Sequence, residues 1–174
     1  VGDPMSDATD IGPLVNEQGL DSIESIVKDA VKDGAQILTG GERVGNKGYF
    51  YRPTIVNNIL PKMRISQEEV FGPAAPILSV DDDDEAIRLA NESQYGLGAS
   101  IWTENLEKAE RLSRLISSGI VSVNNVVASD PRVPFGGIKK SGFGRELSRY
   151  GMLEFVNIKS VRFYNELVHT HHVE

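Results

Sequence analysis

Residues 99–123 read ASIWTENLEKAERLSRLISSGIVSV. Ala99 to Thr103 is a short β-rich run, and Ile120 to Val123 is another. Between them Leu106, Ala109, Leu112, Leu115 and Ile116 recur at the three-and-four spacing of one helical face. Strand, helix and strand in that order make a crossover unit, and such units build parallel sheets covered by helices on both faces. Upstream, Asp82 to Ser93 predicts a helix with Ala86, Ile87 and Ala90 inward, and Pro76 to Val80 a strand before it. GYFYRPTIVNNI (48–59) is β-rich, with Pro53 marking an edge or a break. Earlier still, Asn16 caps a helix whose Ile23, Ile26, Val27, Ala30 and Val31 share a face and which Gly34 ends. Ala35 to Thr39 is then a short strand closed by Gly40-Gly41. The opening VGDPMSDATDIGPLVN reads as an extended loop.

Downstream of 123 the grammar changes. Asn124 to Gly144 holds few periodic apolar residues and many Gly, Pro and Ser, and a long irregular segment inside a compact domain is a place for function. A short helical piece, Arg145 to Tyr150, ends it. FVNIKSVRFYN (155–165) alternates imperfectly as a last strand, and the tail at 166–174 has no pattern and is expected to be flexible. The fold class expected is α/β, a parallel-type sheet covered by helices. There is no internal repeat and no low-complexity linker.

Composition narrows the chemistry. The chain has 174 residues, 40% hydrophobic and 25% charged, which suits a globular domain with a real core. No apolar run reaches the ~18 residues of a membrane span, and no charged-then-apolar leader opens the chain, so a soluble, cytoplasmic protein is expected. A net charge of −7 argues against nucleic acid, and the one dense basic group, Lys139-Lys140 with Arg145 and Arg149, is too small to reverse it. There is no cysteine, hence no disulfide, Cys-ligated zinc or thiolate nucleophile in this chain. His169, His171 and His172 are the only histidines, which leaves no imidazole in the body for acid–base work.

Several motifs have plain explanations. The DDDDE run at 81–85 lacks the alternating ligands and central Gly of a calcium loop, and acids before a helix cap it. The HTHH tail reads as incidental rather than as a metal site. GLGAS (96–100) and GFGRE (142–146) offer only G-x-G, and GGIKKSG lacks the spacing of a Walker loop. Two segments remain: SQEEVFGP (66–73) and VPFGGIKKSGFGRELSRYG (133–151).

With GDP…TDIGPLVN, GYFYRPTIV, YGLGASIWT, VSVNN and VNIKSV, in this order and separation, these segments resemble the C-terminal part of the aldehyde dehydrogenase superfamily. Nearly the whole chain up to Asn165 takes part. ASDPRVPFGGIKKSGFGRELSRYG looks most like succinate-semialdehyde dehydrogenases and related enzymes of small aldehydes. The resemblance implies a partial, incomplete catalytic domain over 1–155, an oligomerisation strand over 156–165 and a tail over 166–174. It implies that Glu69 hydrogen-bonds the nicotinamide-side ribose of NAD or NADP, one carboxylate accepting from two vicinal hydroxyls. Phe71 packs against the nicotinamide side, and Gly72-Pro73 turns the chain so that both side chains face one ligand. Glu68 points elsewhere. Phe135 lines the aldehyde tunnel, and Val126 to Arg132 is its variable wall, where Ser129 or Arg132 meets an acidic substrate tail. Glu146 is a candidate proton relay, and Arg145 an anchor of subunit contacts.

The family reaction oxidises an aldehyde to an acid with NAD or NADP, through a cysteine nucleophile and a general-base glutamate. Both lie upstream of the matched segment, as does the nucleotide-binding domain. The chain is therefore expected to be a C-terminal fragment, cut by cloning, by proteolysis or by a broken reading frame, and inactive alone, with weak or no cofactor binding. The expected partners are a small aldehyde, further copies in a homo-oligomer or the missing N-terminal half, and neither nucleic acid nor membrane. A non-catalytic interaction subunit docking on a separately encoded Cys-containing half is the alternative, and an unrelated α/β binding domain a third. An isolated piece of this kind should expose an apolar sheet edge and self-associate.

Overall fold

The computed structural model describes residues 1–164. It is α/β and divides into two units: Val1–Gln94 with Thr103–Ser117, and Tyr95–Trp102 with the described residues from Ser118 on.

The first unit is built on helix α1 (Glu17–Lys32). Asn16 caps it as expected, its Oδ1 accepting the Gly19 N–H at 2.9 Å. Leu20, Ile23, Ile26, Val27 and Ala30 form its buried stripe. They pack with Tyr51, Val56, Ile59, Met63 and Ile65 into a large core cluster. Val31 was expected in that stripe and is 42% exposed, because it sits one step beyond Ala30 on the rim of the buried face. A three-stranded sheet lies against this helix's cluster. Strand β1 (Gln36–Thr39) pairs antiparallel with β2 (Thr54–Asn57), and β2 pairs parallel with β3 (Ala74–Pro76). Pro53 acts as the break, immediately before β2. The strand expected over 76–80 forms instead at 74–76: its partner β2 stops at Asn57, and Asn58, at φ 58°, turns the chain away. The short α2 (Arg64–Gln67) connects β2 to β3.

Helix α3 (Asp83–Glu92) begins where Asp82 Oδ1 accepts the Glu85 N–H at 2.8 Å, so the acidic run does cap. None of its residues is fully buried, and Ala90, expected inward, is exposed. Its neighbour is α4 (Leu106–Ser113), capped by Asn105. Asp83 ties the two by ion pairs to Lys108 (2.7 Å) and Arg111 (3.1 Å). Asn91 adds side-chain bonds to the Leu115 carbonyl and the Ser117 N–H. In α4, Ala109 and Leu112 are buried and Leu106 is exposed, as is Leu115 just beyond the helix, though both leucines were expected on the inward face.

The second unit carries β5 (Gly98–Ile101) and β6 (Ile120–Val123), parallel and in continuous register, as their separation by a helix in the sequence allows. A second pair, β4 (Tyr95–Gly96) with β7 (Ile138–Lys139), is antiparallel. The sheets are thus three short ones of mixed pairing. Helix α5 occupies Ser148–Leu153 rather than Arg145–Tyr150, because Glu146 is bridged to Phe135 and Leu147, at the N-cap, takes positive φ before the helix starts. Residues 156–164 form no ladder among the described residues and are exposed throughout. The last strand expected over 155–165 is therefore not formed among the described residues. Residue 165 and the 166–174 tail with its histidines lie outside the described residues.

Candidate functional site

In the first unit the Glu-Glu-Val-Phe-Gly-Pro corner leaves α2 and runs into β3. Glu68 faces back along the helix: Arg64 Nε donates to its Oε1 at 2.8 Å, while Arg64 Nη1 reaches Asp29 at 3.2 Å. The Arg64 side chain, foremost, holds the Asp29 carboxyl below its usual range. Glu68 is thereby spent on structure, as expected of it, and Glu69 is left exposed.

The corner is fixed by backbone. Gly72 N–H donates to the Val70 carbonyl, Ala74 N–H to the Gly72 carbonyl, and Thr54 N–H to the Pro73 carbonyl at 2.8 Å. A Cβ at Gly72 would lie 2.6 Å from Ile23 Cδ1 and 3.1 Å from Leu14 Cδ2, so the corner sits directly on the buried face of α1. That seat brings Glu69 and Phe71 to the same hollow of about 300 Å³, closed by Gln18, Gly19, Ser22 and Ile26 of α1. Phe71 is 77% exposed, an aromatic face offered outward. A carboxylate acceptor beside an exposed ring suits a sugar bearing vicinal hydroxyls joined to a planar heterocycle. Of the α1 contributors, Ile26 was singled out from sequence only as a core residue, and Gln18, Gly19 and Ser22 not at all. Only the cap at Asn16, which sets where the helix begins, hinted at them.

In the second unit the glycine-rich segment is a closed loop. Phe135 N–H donates to the Glu146 carbonyl at 2.9 Å and Glu146 N–H to the Phe135 carbonyl at 2.8 Å. Arg145 is half-buried, and its Nη1 donates to the carbonyls of Gly137 (2.9 Å) and Gly144 (2.6 Å). Its guanidinium thus staples its own loop. Ser141 Oγ accepts the Gly96 N–H at 3.0 Å, which ties the loop to the β4–β7 pair. Phe135 and Glu146 line a hollow of about 610 Å³ together with Phe143, Arg145, Met152 and Phe155. Ser129 and Arg132 lie outside that lining, on the exposed stretch before it. Arg132 is bound to Asp130 there, with Nη2 to Oδ2 at 2.6 Å. Glu69 and Phe71 therefore share one hollow in the first unit, and Phe135 and Glu146 share another in the second. Among the described residues no cluster of metal-ligating side chains occurs, and no helix is long and apolar enough to cross a membrane.

The model of the aldehyde dehydrogenase family matches residues 1–161. The succinate-semialdehyde dehydrogenase [NADP(+)] of Deinococcus radiodurans is 44% identical over 163 residues, which are 94% of this chain and 34% of that protein. A probable succinate-semialdehyde dehydrogenase [NADP(+)] of Synechocystis is 47% identical over 161 residues, 92% of this chain and 36% of that one. Among solved structures, succinate-semialdehyde dehydrogenase from Burkholderia pseudomallei superposes with a TM-score of 0.88 at 36% identity, covering 91% of this chain and 33% of that one. The NAD+ complex of an aldehyde dehydrogenase from Bacillus cereus gives 0.86 at 37% identity, covering 90% and 32%. The chain spans about a third of the length of the relatives it matches.

Proposed function

Because the chain belongs to the aldehyde dehydrogenase family, we propose that it is the C-terminal catalytic-domain portion of an NAD(P)-dependent enzyme that oxidises a small aldehyde to its carboxylic acid. Membership removes the reading as an unrelated α/β domain. The observation that carries the proposal is the shared hollow of Glu69 and Phe71, held by a backbone corner seated on α1. When bound, NAD or NADP supplies the hydride acceptor. This chain's part is to hold it: Glu69 accepts from the ribose hydroxyls, and Phe71 backs the ring and limits its rotation. Phe135, clamped by its paired bonds to Glu146, lines the aldehyde's path. Glu146 is exposed and stands where a proton can be passed to solvent. Ser129 and Arg132 belong to the wall that meets the far end of the substrate. Succinate semialdehyde, named for two of the relatives, is the first aldehyde to test.

The sequence contains no cysteine, so the nucleophile comes from another polypeptide segment and the chain alone is inactive. The same fact supports the second reading, a subunit docking on a separate Cys-containing half. Exposed residues 156–164 are the surface for pairing with a further copy. The test is reconstitution: co-expression with the first two-thirds of the Deinococcus relative, then NAD(P)H formation from succinate semialdehyde and from butanal. Activity of the pair and silence of each part alone are expected. Turnover by the purified chain alone would overturn the assignment of roles.

A further inference from the structure

Arg145, Glu146 and Leu147 are good helix formers, and the sequence predicts a helix from Arg145 on. The structure keeps all three out of α5. Glu146 is joined to Phe135 by a reciprocal pair of backbone bonds, and Leu147 stands at φ 60°, ψ 172°. That region of backbone space belongs to glycine, and a residue with a Cβ stays there only where its surroundings over-determine it. Ser148 follows at φ 52°, so two consecutive non-glycine residues carry positive φ. The surroundings are identifiable. The Ser148 N–H donates to the Pro131 carbonyl at 3.1 Å, and the Gly151 N–H to the Leu147 carbonyl at 2.8 Å. Gly151 is buried against Glu146, where a Cβ would lie 2.8 Å from the Glu146 carbonyl carbon and 3.0 Å from its Cα.

A competing arrangement is open to the same residues. A helix begun at Arg145 would carry bonds from the Ser148, Arg149 and Tyr150 N–H groups to the Gly144, Arg145 and Glu146 carbonyls. The Tyr150 N–H now bonds the Ser148 Oγ at 3.3 Å instead. The same helix would break the Phe135–Glu146 pair and the bond from Ser148 to Pro131. Backbone bonds made and broken therefore nearly cancel. Relief of the strain at Leu147 favours the longer helix. The seat of Glu146 on Gly151, and the Arg145 bonds to the Gly137 and Gly144 carbonyls, favour the observed state. Phe135, Arg145, Glu146, Leu147 and Ser148 all line the hollow of about 610 Å³, so passing from one state to the other remodels its wall.

We propose that residues 145–148 are a strained latch on that hollow with two states: closed as observed, and open with α5 extended back to Arg145 and Phe135 released. The inference stands on backbone geometry and does not depend on the proposed activity. Hydrogen exchange of the 15N-labelled 174-residue chain, read amide by amide, tests it. Phe135 and Glu146 should exchange together, and faster than Ile120 and Asn124, whose N–H groups are held at 3.1 and 2.8 Å at either end of the β5–β6 pair in the same unit. Leu147→Gly removes the strain from the closed state and weakens the helix of the open one. Leu147→Ala keeps the strain and strengthens that helix. Both lose the leucine side chain, so the contrast between them isolates the backbone. Protection of Phe135 and Glu146, relative to Ile120 and Asn124, is expected to be about twentyfold higher in the glycine variant than in the alanine variant. In the alanine variant the Cα shifts at positions 146 and 147 should also move toward helical values. Equal relative protection in the two variants overturns the proposal, as do Phe135 and Glu146 amides that track Ile120 and Asn124 in all three proteins. Faster exchange without helical shifts overturns it too, since that is fraying of a loop and not a second state. No cofactor or turnover enters the readout, so a failed reconstitution counts against the proposed activity alone.

Discussion

Gly119 offers the sharpest mechanical test of the second unit. A Cβ placed there would lie 1.8 Å from the Gly136 carbonyl oxygen, 2.8 Å from its carbonyl carbon and 3.1 Å from Gly137 Cα. Cβ atoms essentially never approach closer than 3.0 Å, so Gly119→Ala must drive the Gly136–Gly137 backbone back by more than about 1 Å. That backbone cannot retreat freely. Phe135 is held by two bonds to Glu146, the Gly137 carbonyl by Arg145, and Gly137 itself is buried. Overpacking costs roughly 1–3 kcal/mol, and each bond broken to relieve it about 1 more, so a loss of about 3 kcal/mol is expected. Phe135 moves with its neighbour, and a misplacement of about 1 Å at a substrate-positioning group can cost on the order of 100-fold in rate. Urea denaturation followed by Trp102, the chain's one tryptophan and part of the second unit, measures the first effect. Amide spectra of Gly136 and Gly137 and turnover of the reconstituted enzyme measure the second. Gly142→Ala, in the same unit, is the control. Gly142 has a φ of +111° but nothing within 4 Å, so only the backbone preference, about 1 kcal/mol, is at stake. A Gly119→Ala protein with the native urea midpoint and unshifted Gly137 amide would refute the close approach and the loop geometry built on it.

Glu69→Gln should raise the cofactor KM of the reconstituted enzyme about tenfold or more, since bonds to an ionised acceptor are worth roughly 1.5–3 kcal/mol; an unchanged KM would remove it from the ribose. Tyr51 is 1% exposed, its hydroxyl has no hydrogen-bond partner among the described residues, and burial, with the charge of Glu24 second, pushes its pKa up to about 12 from the ordinary 10.0. Between those values the folded chain keeps the proton and the unfolded chain gives it up, so stability is lost as pH rises through that window. Tyr51→Phe should flatten this alkaline limb and leave stability at pH 7 equal or about 1 kcal/mol higher; a clear loss at pH 7 would mean the hydroxyl is partnered. Phe155, Ile158 and Phe163 are all more than four-fifths exposed, and light scattering of the isolated chain should show self-association that Ile158→Lys with Phe163→Lys reduces. A native chain at monomer mass contradicts this.

What sequence conveyed, and what it withheld, divides by range. The caps at Asn16 and Asp82 and the stripes of α1 and α4 depend on residues three or four apart, and the chain displays those determinants side by side. The parallel pairing of β5 with β6 was legible for a related reason: two strands separated by a helix can run in the same direction, and a tight hairpin cannot join them. Errors gathered where a distant partner decides. The third strand moved to 74–76 because β2 ends at Asn57, and α5 moved to 148 because Glu146 was claimed by Phe135. Arg145 looked like a charge for an interface, and its basic character concealed that glycine carbonyls were its partners. The Asp130–Arg132 clamp is the opposite case. Asp-Pro-Arg carries its own turn chemistry, so the pairing was readable from three letters, yet Arg132 by itself looks like a ready receptor for an anion. The difference matters for function. A basic residue in a substrate-facing loop can be assigned to substrate only after its near neighbours have been asked whether they already hold it. By that criterion Arg64 is spent on Glu68 and Asp29, and Arg132 is already paired with Asp130.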